Sequence, residues 1–358
     1  MSKLTISTTQ LQVLVNKANQ AVSNNKFIEI TEKIGIKYTP DGLMLIATDG
    51  TNTLYVTGSE LEETSDINVA VNAETFVKLV SKLTSDMTTL ETTDNALIVR
   101  ANGAYKIPLS LDDNGEALSF PDLTLDNLES VGTISTANIQ TILSSLKSSL
   151  SDNAGSVYAN YYVGDCVCSS DTKMMSIYDC DLVSDKQYMF DRAFVDLLAI
   201  AGSDISLSYS QDKNMLVAQA DNFMLTSKAI TDTSSFNVEA VKKFSAIEQE
   251  CYCKIRKKEL LDLLDRLSLF VGKYDDGAIT LEFGQAEMCV SSLSSTGVEH
   301  IAYTECKNTK DMTVKININR LMTMLKSYTS DSVDLYYGHD ICIKLVDGTV
   351  TQVVALMR

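Results

Sequence analysis

The chain has 358 residues, 45% of them hydrophobic, and a formal net charge of −17. That length supplies cores of ordinary size, and the longest apolar runs fall far short of the roughly 18 residues a membrane-spanning helix needs. Taken as a total, so large an acidic excess argues against nucleic acid as a partner, because holding phosphates needs cations.

Residues 1–6 enter a strand at once, without the charged and apolar regions of a signal peptide. Ile6-Ser7-Thr8 ends that strand and opens an amphipathic helix with Leu11, Leu14, Val15 and Ala18 at spacing i, i+3, i+4, i+7. Period two follows, with Ile34, Ile36 and Tyr38 alternating with Gly35 and Lys37 ahead of a Pro40-Asp41-Gly42 turn. A second helix carries Phe76, Leu79, Val80 and Leu83, starts at Asn72 as N-cap and closes at Thr84-Ser85-Asp86. After Phe120-Pro121-Asp122-Leu123 the pattern begins again. Ile134-Ser135-Thr136 opens a helix with Ile139, Ile142, Leu143 and Leu146; a partner helix after Asp191 carries Phe194, Leu197, Leu198 and Ala201 and closes at Gly202-Ser203-Asp204. A second boundary falls near Phe244-Ser245. Ile255-Arg256-Lys257 then opens a helix with Leu260, Leu263, Leu264 and Leu267. Asn317 caps another with Leu321, Met324, Leu325 and Tyr328, closing at Thr329-Ser330-Asp331. Val333, Leu335 and Tyr337, then Ile341, Ile343 and Leu345, read as the last strands with an Asp347-Gly348 turn.

Two landmarks recurring three times in one register imply an internal repeat. The expected architecture is α+β: three homologous domains at 1–125, 126–244 and 245–358, each with two helices on one face of an antiparallel sheet. Neither junction is a long flexible linker, so the domains should be held edge to edge.

The charge is unevenly placed. Six helical windows (8–23, 73–85, 136–151, 191–203, 256–273 and 317–330) together carry about +6, leaving about −23 on the rest. The cations include Lys17, Lys78, Lys82, Lys147, Arg192, Arg256, Lys257, Arg266, Arg320 and Lys326. Solvated helix faces carry such residues for no special reason; an acidic body with basic helices is also what contact with DNA through helices would produce. The eight cysteines, including Cys166/Cys168 and Cys251/Cys253, lack zinc-knuckle and Cys-x-x-Cys spacing and read as reduced thiols. Neither a metal site nor a cofactor is expected. Asp179, Asp181 and Asp185 lack the central Gly and terminal Glu of a calcium loop. His300 and His339 stand without a nucleophile at motif spacing, and no phosphate loop is present, so an enzyme is not expected.

Across its whole length the chain resembles the bacterial-type DNA polymerase III beta sliding clamps, the processivity factors of replicative polymerases. The resemblance rests on the repeat register, Ala47-Thr48-Asp49-Gly50, Val99-Arg100-Ala101-Asn102-Gly103, Phe120-Pro121-Asp122-Leu123 and the run Val353-Val354-Ala355-Leu356-Met357-Arg358. It departs from the family at Tyr178-Asp179-Cys180-Asp181, where a small-residue turn is usual, and at Leu356, where proline is usual. These departures suggest a divergent clamp, with a phage-encoded one among the readings.

The resemblance implies a ring-shaped homodimer around duplex DNA, with no cofactor, working in the bacterial cytoplasm with a replicative polymerase and a clamp-loader ATPase. It implies DNA contact at the cations named above together with Lys26. A partner peptide would bind at Tyr178, Cys180, Leu182, Val241, Val353, Val354, Leu356, Met357 and Arg358. The dimer contact would use Tyr105, Lys106, Ile107, Leu269 and Phe270. The alternative from another class is a three-repeat scaffold, such as a virion component, that encircles nothing.

Overall fold

The computed structural model describes residues 2–358 apart from 24–26, 60, 64–65, 113, 181, 183 and 185. The α-helices among them are α1 (Thr8–Asn19), α2 (Ala73–Val80), α3 (Thr136–Thr141), α4 (Arg192–Leu198), α5 (Val238–Ser245), α6 (Lys257–Ser268) and α7 (Ile318–Ser327). No helix among the described residues is long and apolar enough to cross a membrane.

The chain forms two compact units, residues 1–136 with 193–229, and residues 137–192 with 230–358. In the first, a five-stranded sheet runs in the order Leu61–Glu63, Ser2–Ser7, Met87–Thr92, Ala96–Arg100, Ala104–Pro108. Its eight-stranded companion is antiparallel throughout, and Phe223–Lys228 pairs there with Asn52–Gly58, joining a strand of the second repeat to one of the first. The second unit holds a four-stranded and a nine-stranded sheet. In the larger, Met174–Tyr178 pairs with Val350–Ala355, joining the second repeat to the third. The second repeat thus gives its strands to both units, because backbone ladders are completed with both neighbours. The division at 125 and 244 stays a proposal that rests on the repeat.

The helical stripes explain the packing. Leu11, Leu14, Val15 and Ala18 of α1 are buried, as are Leu260, Leu263, Leu264 and Leu267 of α6. Burying each leucine is worth about 1.5–3 kcal/mol over leaving it exposed. Leu321, Met324, Leu325 and Tyr328 are buried on α7 and beyond, and Phe194, Leu197 and Leu198 on α4. Leu79, Leu143 and Ala201 are only half-buried. Asn72 and Asn317 cap as expected, accepting from the amides of Thr75 at 3.0 Å and Arg320 at 3.1 Å.

The two repeated landmarks touch each other. The amide opening the first helix of each repeat donates to the aspartate closing the second: Thr8 to the Asp86 carbonyl at 3.0 Å and Lys257 to the Asp331 carbonyl at 2.8 Å. Thr136 donates to the Asp204 carboxylate at 3.1 Å. Each bond satisfies one of the orphan donors of a helix N-terminus.

Two expectations need correcting. The first helix of the second repeat is not one α-helix: α3 stops at Thr141, Ile142–Leu146 is a π-turn and Lys147–Ser149 a 3-10 turn. Hydroxyls compete for its carbonyls there, Thr141 Oγ1 donating to Ala137 O at 3.0 Å and Ser148 Oγ to Ser145 O at 2.7 Å. Two helices on one face of an antiparallel sheet would leave the other face to solvent, but that face is partly covered. In the first unit Phe120 packs with Ile46, Tyr55 and Ala70, against Gly35, where a Cβ would lie 2.5 Å from its ring. In the second, α5 covers a cluster of Tyr162, Cys168, Met175, Phe236, Cys342 and Val353. Asn237 caps α5, accepting from Ala240 N at 2.9 Å.

Candidate docking groove and cationic helices

A groove of about 660 Å³ lies in the second unit, within the size range of ligand sites. Its floor is Met175, Phe244, Cys342 and Val353, and its walls include Thr172, Lys173, Ile341, Leu356, Met357 and Arg358. Period-two geometry explains the floor: Met175 and Val353 are direct cross-strand partners, so both point to the face that α5 covers. Val354, one residue on, points through the sheet into the core of α6 and α7. Beyond Ala355 the backbone crosses between sheets, Leu356 N donating to Ile341 O and Met357 N to Lys315 O, both at 2.8 Å.

Another wall is set by the start of α7. Asn317, its N-cap, also donates Nδ2 to Asp276 O at 2.7 Å, and Ile318 N donates to Gly277 O at 2.8 Å. The turn uses left-handed backbone at Asp276 and Gly277, and a Cβ on Gly277 would sit 2.6 Å from Asn317 Nδ2. Asp276 and Arg320 therefore reach the groove together, and Lys173, Arg358 and Asp340 complete a mixed-charge rim around apolar walls. Such a surface suits a short peptide with apolar anchors.

Of the residues expected to hold a peptide, Val353, Leu356, Met357 and Arg358 line this groove. Val241 is buried beneath it in the α5 cluster. Tyr178, Cys180 and Leu182 lie outside its lining: Tyr178 is buried and donates to Asn138 Oδ1 at 2.8 Å, Cys180 is half-buried, and Leu182 is buried. The groove meets the other end of that strand, at the turn Asp171-Thr172-Lys173. Asp171 there accepts from the amides of Lys173 at 2.7 Å and Met174 at 2.5 Å, and that Asx turn ahead of an alternating run is the sequence signal that marks it. Phe244 and Cys342 came from strand register and from α5, which the repeat pattern does not contain.

The cations expected at DNA sit mostly in the paired helices or at their ends. Lys78, Lys82, Arg192, Arg256, Arg266 and Lys326 are exposed, while Lys17, Lys147, Lys257 and Arg320 are half-buried. Several hold local partners. Arg266 makes a two-pronged pair with Glu299 at 2.9 and 2.6 Å, which pulls the Glu299 carboxyl below its ordinary range. Lys78 pairs with Glu74 at 2.5 Å, Arg256 with Glu259 at 2.9 Å, and Lys257 donates to Tyr328 O at 2.8 Å. Arg320 faces the groove. Lys26 lies outside the described residues.

Two of the sheets' end strands lie near the residues expected at the dimer contact. Ala104–Pro108 ends the five-stranded sheet, with Tyr105 and Lys106 exposed and Ile107 buried. Val298–Ala302 ends the four-stranded sheet; just past α6, Leu269 is 81% and Phe270 48% exposed.

Residues 2–119 match the family model of the DNA polymerase III beta subunit, N-terminal domain. No curated protein matches the chain. Among solved structures, the DNA polymerase sliding clamp of Bacillus subtilis is similar at 15% identity and TM-score 0.82, covering 100% of this chain and 99% of that one. The beta subunit of Thermotoga maritima is similar at 13% identity and TM-score 0.85, with 100% of both chains covered. That of Streptococcus pyogenes is similar at 15% identity and TM-score 0.85, covering 99% of this chain and all of its own. Residues 2–119 are thus similar to the DNA polymerase III beta N-terminal domain, and the whole chain shares the fold of the sliding clamps.

Proposed function

We propose that this protein is a DNA sliding clamp: two copies, joined head to tail, encircle duplex DNA and tether the replicative polymerase, which thereby becomes processive. The observation that carries the reading is the full-length clamp fold joined to an N-terminal domain of the DNA polymerase III beta family. A three-repeat scaffold would share the repeat but gives no reason for a peptide-sized groove of apolar floor and charged rim.

In this reading the edge strand Ala104–Pro108, with Tyr105, Lys106 and Ile107, meets the region of Leu269 and Phe270 of a second copy. Edge pairing hides ladder groups that otherwise invite aggregation, and a heterologous contact closes into a ring. The cations of the paired helices face the duplex and touch phosphates without reading bases, so the ring is held but free to slide. Arg266, Lys78 and Arg256 must exchange their carboxylate partners for phosphate. That exchange keeps each contact weak, which a sliding ring needs.

The groove takes a short apolar peptide of the polymerase or of a clamp-loader ATPase. Nothing is catalysed: the protein acts by topology and needs no cofactor. Its place of action is the bacterial cytoplasm, and a phage-borne copy would act there too. Primer extension on a long primed circle, with loader and polymerase present, tests the reading. Products should lengthen with the protein present; unchanged product length with a polymerase whose peptide binds the groove would contradict it.

A further inference from the structure

One turn is built twice in this chain, once in each unit. Residues 48–52 lead into Asn52–Gly58 and residues 170–174 into Met174–Tyr178, the two strands that pair with the last strand of the following repeat. The hydrogen-bond frame is the same in both. Thr48 Oγ1 accepts from Gly50 N at 3.1 Å and donates to Asn52 O at 2.7 Å. Ser170 Oγ accepts from Thr172 N at 2.9 Å and donates to Met174 O at 3.0 Å. Asp49 Oδ1 accepts from Thr51 N at 2.8 Å and Asn52 N at 2.7 Å, as Asp171 Oδ1 does from Lys173 N and Met174 N. Each turn also takes an amide from the following repeat, Lys228 N donating to Thr51 O and Ala355 N to Lys173 O.

The two turns part at their third residue. Gly50 has φ +97° and Thr172 φ +76°, left-handed backbone that glycine adopts freely and a β-branched residue only under strain. The other non-glycine residues with positive φ among those described are Asn127, Asn214, Asn222, Asp276, Ser295 and Asn308, none of them β-branched. The first turn closes the same frame with glycine, so the backbone bonds give no reason for a threonine. The surroundings do. A Cβ on Gly50 would lie 3.2 Å from Ile28 Cδ1, whereas Thr172 is exposed and lines the groove. Its amide is held by Ser170, but its hydroxyl has no partner among the described residues. Strain kept at a binding surface points to a use for the side chain that bears it.

We propose that Thr172 is a specificity-determining residue of the docking groove, whose hydroxyl hydrogen-bonds the docked peptide while Met175 and Val353 receive its apolar anchors. The inference rests on the docking reading of the groove and adds a polar contact to it. A hydroxyl both donates and accepts, so it can serve a carbonyl or an amide of the peptide. The frame of Ser170 and Asp171 holds the turn in its strained form before any peptide arrives, so the hydroxyl is set in advance. Stability is given up at this position for binding, and the two properties should therefore move in opposite directions when the side chain is removed.

The test uses the full chain and a fluorescein-labelled heptapeptide selected on it from a displayed random library. The peptide is kept only if removing Leu356, Met357 and Arg358 abolishes its binding, which places it in the groove. Thr172→Gly should raise the melting temperature by a few degrees, because relief of strain outweighs the freedom glycine adds to the unfolded chain. The same variant should bind the peptide roughly three- to tenfold more weakly, the worth of one hydrogen bond. Thr172→Ser, which keeps the hydroxyl, should bind nearly as well as the parent. Thr172→Val, which keeps the branch, should bind as weakly as Thr172→Gly without the gain in melting temperature. Undiminished binding by Thr172→Gly or Thr172→Val would overturn the proposal and leave the docking reading standing. A lower melting temperature for Thr172→Gly would overturn it as well, by showing that the threonine serves the fold. A library that yields no peptide dependent on residues 356–358 would remove the docking reading and this inference with it.

Discussion

Asp347 shows how much one side chain can tie together. It accepts from Thr329 N at 2.5 Å, Thr329 Oγ1 at 2.6 Å and Ser330 Oγ at 2.6 Å, so it holds the Thr-Ser-Asp landmark that closes α7. Partial burial pushes its carboxyl up, but the hydrogen bonds from Ser330 and Thr329 win and hold it below the usual range. A depressed folded value contributes stability that is complete above the unfolded value of about 3.9 and is lost as pH falls through the folded value. Asp347→Asn should therefore cost about 1 kcal/mol at neutral pH, allowing for its partial exposure. Urea titrations at pH 7 and in acid should show that gap closing; an equal gap at both would contradict the assignment. The two N-caps differ in a similar way. Asn72→Ala should cost about 1 kcal/mol, and Asn317→Ala more, because Asn317 also holds the 275–277 turn through Asp276. Equal losses in chemical denaturation would show that the second bond contributes nothing.

At the scale of elements, the sequence was most legible where local period decides. The stripes of α1, α6 and α7 are buried where spacing put them, since a 3.6-residue period has one inward face. The landmarks were legible as coincidence before they were legible as contact; the amides of Thr8, Thr136 and Lys257 show why they keep step. What was hidden depended on competition or on distance along the chain. Apolar spacing at Ile139, Ile142 and Leu146 said nothing of the hydroxyls that break α3. In α5, the signals were Asn237 followed by Val238, Val241 and Phe244, in a stretch read as a junction. Half of the groove followed from the run 353–358; the other half depends on pairing across about 180 residues, which period two cannot fix. Removing Leu356, Met357 and Arg358 deletes groove walls and the two backbone bonds to Ile341 and Lys315. Thermal unfolding should reveal a loss of about 1–3 kcal/mol with the fold retained. Stimulation of the polymerase should disappear, because a few apolar anchors carry most of a peptide's binding energy. Full stimulation by the truncated protein would place the docking site elsewhere.

At the scale of the whole molecule, the −17 net charge conceals the sorting that the clamp reading needs, with cations gathered on paired helices and acid elsewhere. In the proposed ring, closure depends on the exposed end of α6. Phe270→Asp should shift the dimer toward monomer in sedimentation at micromolar concentration, since an unpaired charge at a buried contact costs several kcal/mol. A dimer of undiminished strength would move the interface away from Phe270. Sliding is a stricter requirement than dimer formation, because it demands that release be governed by DNA ends and not by affinity. The most direct measurement loads the protein with loader and ATP on a nicked circular plasmid, isolates the complex at high salt, and then linearises half of the sample. The account predicts retention on the circle and prompt loss from the linear form; equal release from both, or equal retention on both, would contradict it.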